Sequence, residues 1–85
     1  MTNLTTMEIK ILGTGCASCK NLEKATREAV QEMNINAIVV KEEDIMNIMA
    51  YGVMRTPGLV INEKVVLSGR VPSQNELKEL LEKNK

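Results

Sequence analysis

The sequence predicts one α/β domain whose strands and helices follow one another in the order β-α-β-α-β-β-α. Apolar residues alternate with polar ones in some short segments and recur at helical spacing in longer ones. Glycine, proline and asparagine residues separate these segments. The two β-α units of the first half favour parallel strands, and the two closely spaced strands that follow predict an antiparallel hairpin.

The first strand and the first helix have the clearest patterns. Residues Met7–Leu12 alternate, with their apolar side chains on one face, as in a half-buried strand. Residues 13–15 (Gly-Thr-Gly) interrupt the strand, and a helix is predicted from Cys16, or close to it, to residues 33–34. The apolar positions of this helix are Cys19, Leu22, Ala25 or Thr26, Ala29, Val30 and Met33.

The middle of the chain predicts a second β-α unit. Residues 35–40 are rich in β-branched side chains and end in a continuous apolar run, which predicts a buried strand parallel to the first. Residues 41–51 predict a second helix, and Gly52 suits the position after its C-terminal end. Its apolar stripe consists of Ile45, Ile48 and Met49.

The last third of the chain predicts a hairpin and a closing helix. Residues 59–61 and Lys64–Ser68 are the two strands, with Asn-Glu at residues 62–63 between them. Residues 73–83 begin with the Ser-x-x-Glu spacing of a capping box and continue with leucines on one side, as in an amphipathic helix.

Composition excludes several classes of function. The 85 residues carry eleven Lys and Arg against eleven Asp and Glu, so net charge gives no attraction to nucleic acid or anionic membrane. Tyr51 is the only aromatic residue, which argues against base stacking. The absence of histidine excludes Ser–His and Cys–His catalysis and zinc sites that contain histidine. No apolar run is long enough to span a bilayer.

The composition of the N-terminal residues bears on the domain boundary and on the cellular compartment. Residues 1–6 are polar and lack the basic and apolar regions of a signal peptide, so we expect a flexible N-terminus and a cytoplasmic protein. Residues 7–85 are expected to form the single domain.

The two cysteines, Cys16 and Cys19, form a Cys-Ala-Ser-Cys motif between a strand and a helix. Residues three apart on a helix have Cα atoms about 5 Å apart. A disulfide needs a Cα separation of about 4.4–6.8 Å, so this pair can open and close with little backbone movement. Two thiols cannot complete a structural zinc site within one chain, since such a site needs four ligands.

The helix N-terminus predicts different roles for the two sulfurs. Its partial positive charge and unpaired N–H groups favour a thiolate at Cys16, and cysteines in such settings have pKa values of roughly 3.5–7.5. We therefore hypothesise that Cys16 attacks a substrate disulfide and that Cys19, one turn deeper, resolves the mixed disulfide. The alternative is a pair of buried, inert cysteines, but Cys-x-x-Cys beside a β-α-β pattern favours redox chemistry.

Two segments make the chain resemble the thioredoxin-like superfamily, and most of all its very small members of the redox-active disulfide protein 2 type. They are residues 13–20 (Gly-Thr-Gly-Cys-Ala-Ser-Cys-Lys) and residues 55–61 (Arg-Thr-Pro-Gly-Leu-Val-Ile), and the hairpin ending in Ser68-Gly69 adds to them. The resemblance spans residues 7–83. It implies a minimal thioredoxin-like fold, a four-stranded mixed sheet with three helices.

The resemblance also implies a site and an activity. Pro57 matches the cis-proline that faces the disulfide in this family; the alternative is an ordinary trans proline before an edge strand. Substrate would dock on Thr56, Pro57, Gly15, Ala17 and Ser18. The implied protein is a thiol–disulfide oxidoreductase, or an electron carrier only, with the Cys16–Cys19 disulfide as redox group and no bound cofactor. We expect it to be a monomer that serves protein dithiol or disulfide substrates and a thioredoxin-reductase-like reductase.

A second resemblance points to a Cu(I) carrier. Residues 15–19 also resemble the Gly-Met-x-Cys-x-x-Cys loop of heavy-metal-associated domains, and two thiolates suit a soft metal. Glu8 and Lys10 in the first strand suit the one-sided sheet of such domains better than a sheet covered on both faces. Those domains, however, run β-α-β-β-α-β and end in a strand, whereas this chain is predicted to end in a helix.

Six methionines raise the possibility of a binding surface. Because the chain has no Phe or Trp, we interpret Met46 and Met49 as core residues that fill the space beside the second helix. Met54, close to Pro57, can instead line a partner groove beside the cysteines.

Overall fold

The computed structural model describes residues 6–84, and its elements follow the predicted order. These elements are β1 (Met7–Leu12), α1 (Ala17–Glu32), β2 (Ala37–Glu42), α2 (Ile45–Ala50), β3 (Gly58–Ile61), β4 (Lys64–Ser68) and α3 (Gln74–Lys83). The four strands form one mixed sheet in the order β2-β1-β3-β4, with β1 parallel to β2 and antiparallel to β3, and with β3 antiparallel to β4. The predicted minimal thioredoxin-like architecture is therefore confirmed.

The two faces of the sheet are covered unequally. On one face the long helices α1 and α3 pack on the alternating side chains of β1 and β3, and this is the larger part of the core. On the other face the short helix α2 and the segment after it cover one end of the sheet. The larger cluster includes Ile9, Leu22, Leu59, Ile61, Leu77 and Leu81; the smaller one consists of Leu12, Ile48, Val53 and Val60.

Strand β2 starts two residues later than predicted, and it is an edge strand rather than a buried one. The reason lies in how α1 ends. Asn34 has a φ of 57°, and the Ile35 N–H donates to the Val30 carbonyl, so residues 33–35 close the helix instead of starting the strand. Ile38 and Val40 of β2 are exposed.

Helix α2 is shorter than the predicted 41–51, because residues 41 and 42 still pair with β1. Asp44 caps the helix, with its Oδ1 accepting from the Met46 N–H at 2.9 Å. The interpretation of Met46 and Met49 as core residues is wrong, since they are 73% and 62% exposed. A six-residue helix over one corner of the sheet buries a single residue, Ile48.

The charged residues of β1 lie on the part of the sheet that α2 does not cover. Glu8 is exposed and Lys10 is half-buried. The Lys10 Nζ donates to Tyr51 Oη at 2.7 Å and to Glu63 Oε2 at 3.0 Å, so its charge is paired at the sheet surface. A central strand with two charges is therefore compatible with this fold.

The predicted flexible N-terminus and the predicted C-terminal boundary of the domain both stay predictions. Apart from Thr6, the predicted flexible N-terminus falls outside the described residues, as does Lys85 at the end of the predicted domain. Within residues 6–84, no helix combines the length and the hydropathy that a bilayer span requires.

Candidate active site

The loop between β1 and α1 is held close to the sheet by a glycine. The Gly13 N–H donates to the Glu42 carbonyl at 3.0 Å, and Gly13 is buried. A Cβ on Gly13 would collide with the Sγ of Cys19. Gly15 has a φ of 90°, a conformation that glycine adopts at little cost. The two glycines thus let the chain turn directly over the second cysteine.

Cys16 and Cys19 are joined by a disulfide at the N-terminus of α1, with their Cα atoms 5.1 Å apart. Cys16 is the N-cap residue, and its Sγ accepts a hydrogen bond from the Cys19 N–H at 3.1 Å. The first turn of α1 carries no acidic side chain. The helix end therefore directs N–H groups and partial positive charge toward the Cys16 sulfur.

The two cysteines differ in how far a partner can reach them. Cys16 is exposed, whereas Cys19 is 5% exposed and lies against Gly13. A substrate disulfide can therefore approach Cys16, whereas almost none of Cys19 is exposed to an external partner.

The Thr56–Pro57 segment lies beside the disulfide, and its peptide bond is cis. The Thr56 Cβ is 3.8 Å from the position that a Cβ on Gly13 would occupy, next to the Cys19 sulfur. Pro57 is buried and Thr56 is exposed. The Pro57 carbonyl accepts from the Gly69 N–H at 2.8 Å, which ties this segment to the end of the hairpin.

The residues predicted to dock substrate fall into two groups. Gly15, Ala17 and Ser18 are exposed and lie within two residues of Cys16 in the chain, while the Thr56 Cβ lies close to Gly13 and is followed by Pro57. Thr56 is therefore close to the loop that carries the cysteines. The contact of both groups with substrate stays a prediction.

Arg70 follows Gly69, whose N–H is bonded to Pro57, and its guanidinium forms an ion pair with Glu76. Its guanidinium donates through both terminal nitrogens to the carboxylate of Glu76. These hydrogen bonds raise the pKa of Arg70 and lower the pKa of Glu76. The positive charge of Arg70 is therefore paired with the carboxylate of Glu76.

A water-sized cavity behind Cys19 was not expected from the sequence. Its volume is about 30 Å³, and its lining includes Cys19 together with Lys41 and Glu43. The second helix predicted from the sequence, residues 41–51, included both Lys41 and Glu43. The predicted parallel pairing of β1 and β2 was a signal for this cavity. The ends of parallel strands meet at one edge of a sheet, so the residues that follow β1 and β2 lie close together there.

The architecture does not favour the Cu(I) carrier. The described elements follow the order β-α-β-α-β-β-α, whereas heavy-metal-associated domains run β-α-β-β-α-β. Thr56 lies close to Gly13 of the cysteine loop, a contact that the metal-carrier alternative does not use.

Comparison of the sequence with known families and proteins gives concordant matches. A family model described as "Thioredoxin domain" matches residues 7–82. The chain is 43% identical over 75 residues to a thioredoxin of Methanothermobacter thermautotrophicus, which covers 88% of this chain and 97% of that protein. It is 40% identical over 73 residues to a thioredoxin of Methanocaldococcus jannaschii, which covers 86% of this chain and 84% of that protein.

Solved structures match the fold at low sequence identity. Thioredoxin-2 of the malaria parasite, described as a component of its protein secretion machinery, superimposes with a TM-score of 0.70 at 14% identity, over 92% of this chain and 82% of that chain. The germline-specific thioredoxin Deadhead of Drosophila melanogaster gives 0.66 at 17% identity, over 92% and 80%. With the disulfide at the helix end and the family match over nearly the whole chain, this protein belongs to the thioredoxin family and is a thiol–disulfide oxidoreductase whose redox group is the Cys16–Cys19 pair.

Proposed function

We propose that the protein reduces disulfides of partner proteins, with Cys16 as the attacking sulfur and Cys19 as the resolving one. The observation that carries this assignment is the asymmetry of the pair. Cys16 is exposed and accepts an N–H hydrogen bond at the helix end, which favours its thiolate, while Cys19 is almost fully buried.

The exchange takes place in two balanced steps. The Cys16 thiolate attacks one sulfur of the substrate disulfide, the substrate S–S bond breaks, and a mixed disulfide forms as one substrate thiolate leaves. The Cys19 thiolate then attacks the Cys16 sulfur, and the second substrate thiolate leaves. Two electrons and two protons pass to the substrate, and the Cys16–Cys19 disulfide forms.

The substrate docks on the exposed surface around the disulfide. Gly15, Ala17 and Ser18 form one side of it, and Thr56 and Pro57 form the other. An extended substrate segment lies along Thr56 and pairs with its backbone. The nearness of Thr56 to the cysteine loop supports this arrangement.

The partners follow from the family. A reductase of the thioredoxin-reductase class returns electrons to the disulfide, and protein disulfides accept them. The protein works as a monomer in the cytoplasm without a bound cofactor. It can act as an enzyme or solely as an electron carrier between these partners.

One experiment tests this function against the Cu(I) carrier. Purified protein is equilibrated with mixtures of reduced and oxidised dithiothreitol, and a separate sample of reduced protein is titrated with Cu(I). We expect one reversible two-electron transition near the value typical of thioredoxin, about −270 mV. A Cys19→Ser variant, which cannot form the disulfide, is the control. Tight Cu(I) binding together with slow exchange with dithiothreitol would contradict the proposal.

A further inference from the structure

Three polar side chains on the face of the sheet that α2 covers in part have no role in the exchange chemistry. Lys10 comes from the central strand β1, Tyr51 from the C-terminal end of α2, and Glu63 from the turn between β3 and β4. Lys10 donates hydrogen bonds to the other two, Tyr51 Oη donates to Glu63 Oε1, and the Lys10 Nζ lies 5.4 Å from the centre of the Tyr51 ring. We call these three residues the polar cluster.

The place of Lys10 in the sheet calls for an explanation other than stability. Its side chain is 27% exposed, although it belongs to the central strand. A charge that is partly withdrawn from water loses hydration, so an ion pair in such a place is often no more stabilising than apolar residues of similar size. The polar cluster joins three separate elements, and its hydrogen bonds fix the direction in which the chain leaves α2.

The segment that follows Tyr51 has few other contacts to hold it. The Gly52 N–H makes the last hydrogen bond of α2. Within the part of the chain that the structure describes, residues 53–56 make no backbone–backbone hydrogen bond, and such bonds begin again at Pro57. Val53 is the one buried residue of these four. The position of the segment therefore depends on Val53 and on its two ends.

Tyr51 and Val53 are connected through the smaller core cluster. Val53 belongs to that cluster and Tyr51 packs against it. A Cβ on Gly58 would lie 3.5 Å from the Val53 Cγ1 and 3.3 Å from the Leu12 Cδ1, so Val53 lies directly against the start of β3. Thr56, three residues further on, lies beside the cysteine loop. A change in where the Tyr51 ring lies therefore reaches Thr56 through Val53.

We propose that Tyr51, held by Lys10 and Glu63, is a positioning residue that sets where the Thr56 backbone lies relative to the cysteine loop. This inference rests on the proposed function and adds to it three residues outside the docking surface. The polar cluster governs the reaction with disulfides that belong to a peptide chain, because such a chain pairs with the Thr56 backbone. Small disulfides have no backbone to pair, so their reaction does not depend on the cluster.

The test uses two peptides of the same sequence, each with one cysteine bonded to 2-mercaptoethanol. In the second peptide the backbone nitrogens beside the cysteine are methylated, so they cannot donate hydrogen bonds. The rate at which each peptide oxidises the reduced protein is measured, together with the rate for the small compound bis(2-hydroxyethyl) disulfide. We expect the wild type to react about tenfold faster with the unmethylated peptide, as the loss of one or two hydrogen bonds would give.

Tyr51→Phe keeps the ring and removes the hydroxyl that binds Lys10 and Glu63. We expect the ratio between the two peptides to fall towards one in this variant. Its rate with bis(2-hydroxyethyl) disulfide and its reduction potential should stay at the wild-type values. Lys10→Met should lower the ratio by less, since Glu63 still accepts from the Tyr51 hydroxyl.

Lys78→Met is the matched control, because it removes a lysine that is likewise paired with a glutamate, Glu32, on the face of the sheet that α1 and α3 cover. It should keep the wild-type ratio. An unchanged ratio in Tyr51→Phe, an equal loss of rate with bis(2-hydroxyethyl) disulfide, or the same change in the control would overturn the inference and leave the proposed function intact. Equal wild-type rates with the two peptides would overturn the pairing with Thr56 and the inference with it. Failure of the wild type on all three disulfides would overturn the proposed function as well.

Discussion

Cys16 owes its predicted role to its position at the N-cap rather than to its residue type. The same helix end that aligns the Cys19 N–H with the Cys16 sulfur also buries Cys19 one turn further along. The sequence predicted this difference because Cys19 lies one turn deeper than Cys16 and on the apolar stripe of the helix. It could not predict that Gly13 contacts Cys19, since that contact depends on how the loop packs against the helix.

Replacing Gly13 tests this contact. In Gly13→Ala, the added Cβ collides with the Cys19 Sγ, whose position the disulfide fixes; in the dithiol form the side chain can move away. We expect the variant to lower the free energy of unfolding of the oxidised protein by about 1–3 kcal/mol, as overpacking does. Because the reduced form is destabilised less than the oxidised form, the reduction potential of the variant should become less negative. The expected shift is about 30 mV for each 1.4 kcal/mol of difference between the destabilisation of the two forms.

Urea unfolding of both redox forms, and equilibration with dithiothreitol, would measure the two effects of Gly13→Ala. Thr14→Ala, in the same loop but exposed, is the control. Equal loss of stability in the oxidised and reduced proteins would show that the contact with the Cys19 sulfur is not the cause.

At the scale of the elements, the hairpin and the central strand are joined by one polar cluster. Tyr51 Oη donates to Glu63 Oε1 at 2.9 Å, and Lys10 donates to both residues. Glu63 has a φ of 68°, in the left-handed region that favours glycine. The sequence predicted the hairpin from its strands and two-residue turn, but it did not predict this cluster, whose members lie 12 to 53 positions apart.

The cluster makes stability depend on pH. The hydrogen bond from Lys10, and then that from Tyr51, lower the pKa of Glu63 from its ordinary value of 4.5. Because the folded pKa is below the unfolded one, this stabilisation is complete above about pH 5 and is lost as the pH falls through the folded pKa. The same cluster raises the pKa of Lys10.

The variant Glu63→Gln should therefore be less stable than the wild type at neutral pH, and the difference should vanish in acid. Urea unfolding at a series of pH values down to about pH 2 measures it. Glu28→Gln, at an exposed position of α1, is the control. A difference that persists unchanged at the lowest pH would contradict the role of the Glu63 carboxylate.

The bounds and the burial of β2 and α2 differ from the sequence predictions. Residues 35–40, which are rich in apolar side chains, look like a buried strand, but Ile35 belongs to the end of α1, and the sheet order places the strand at an edge. The apolar stripe of α2 predicts a core helix, yet Ile48 is the one buried residue of that helix. Both errors concern tertiary context, which periodicity does not contain.

At the scale of the whole molecule, the sheet has one fully covered face and one partly covered face. The element order and the large core cluster followed from alternation in β1, from the helical spacing of apolar residues in α1 and from the leucines of α3. The unequal cover could not be predicted, because it depends on how short α2 is and on where it lies.

Two substitutions of the same kind test this asymmetry. Ile9→Ala removes a fully buried side chain beneath α1 and α3, and should cost about 2–5 kcal/mol of unfolding free energy. Ile38→Ala, on the open part of the sheet, should cost less than about 1 kcal/mol. Urea unfolding of the oxidised proteins measures both, and similar losses would show that the second face is covered in solution.

The trapping of a mixed disulfide tests the central claim most directly. Reduced Cys19→Ser protein is mixed with a disulfide substrate, Cys16→Ser protein is treated in parallel, and the covalent adducts are mapped by mass spectrometry. The account predicts a stable adduct on Cys16 of the Cys19→Ser protein and little adduct on Cys19 of the Cys16→Ser protein. Adduct formation mainly through Cys19 would contradict it.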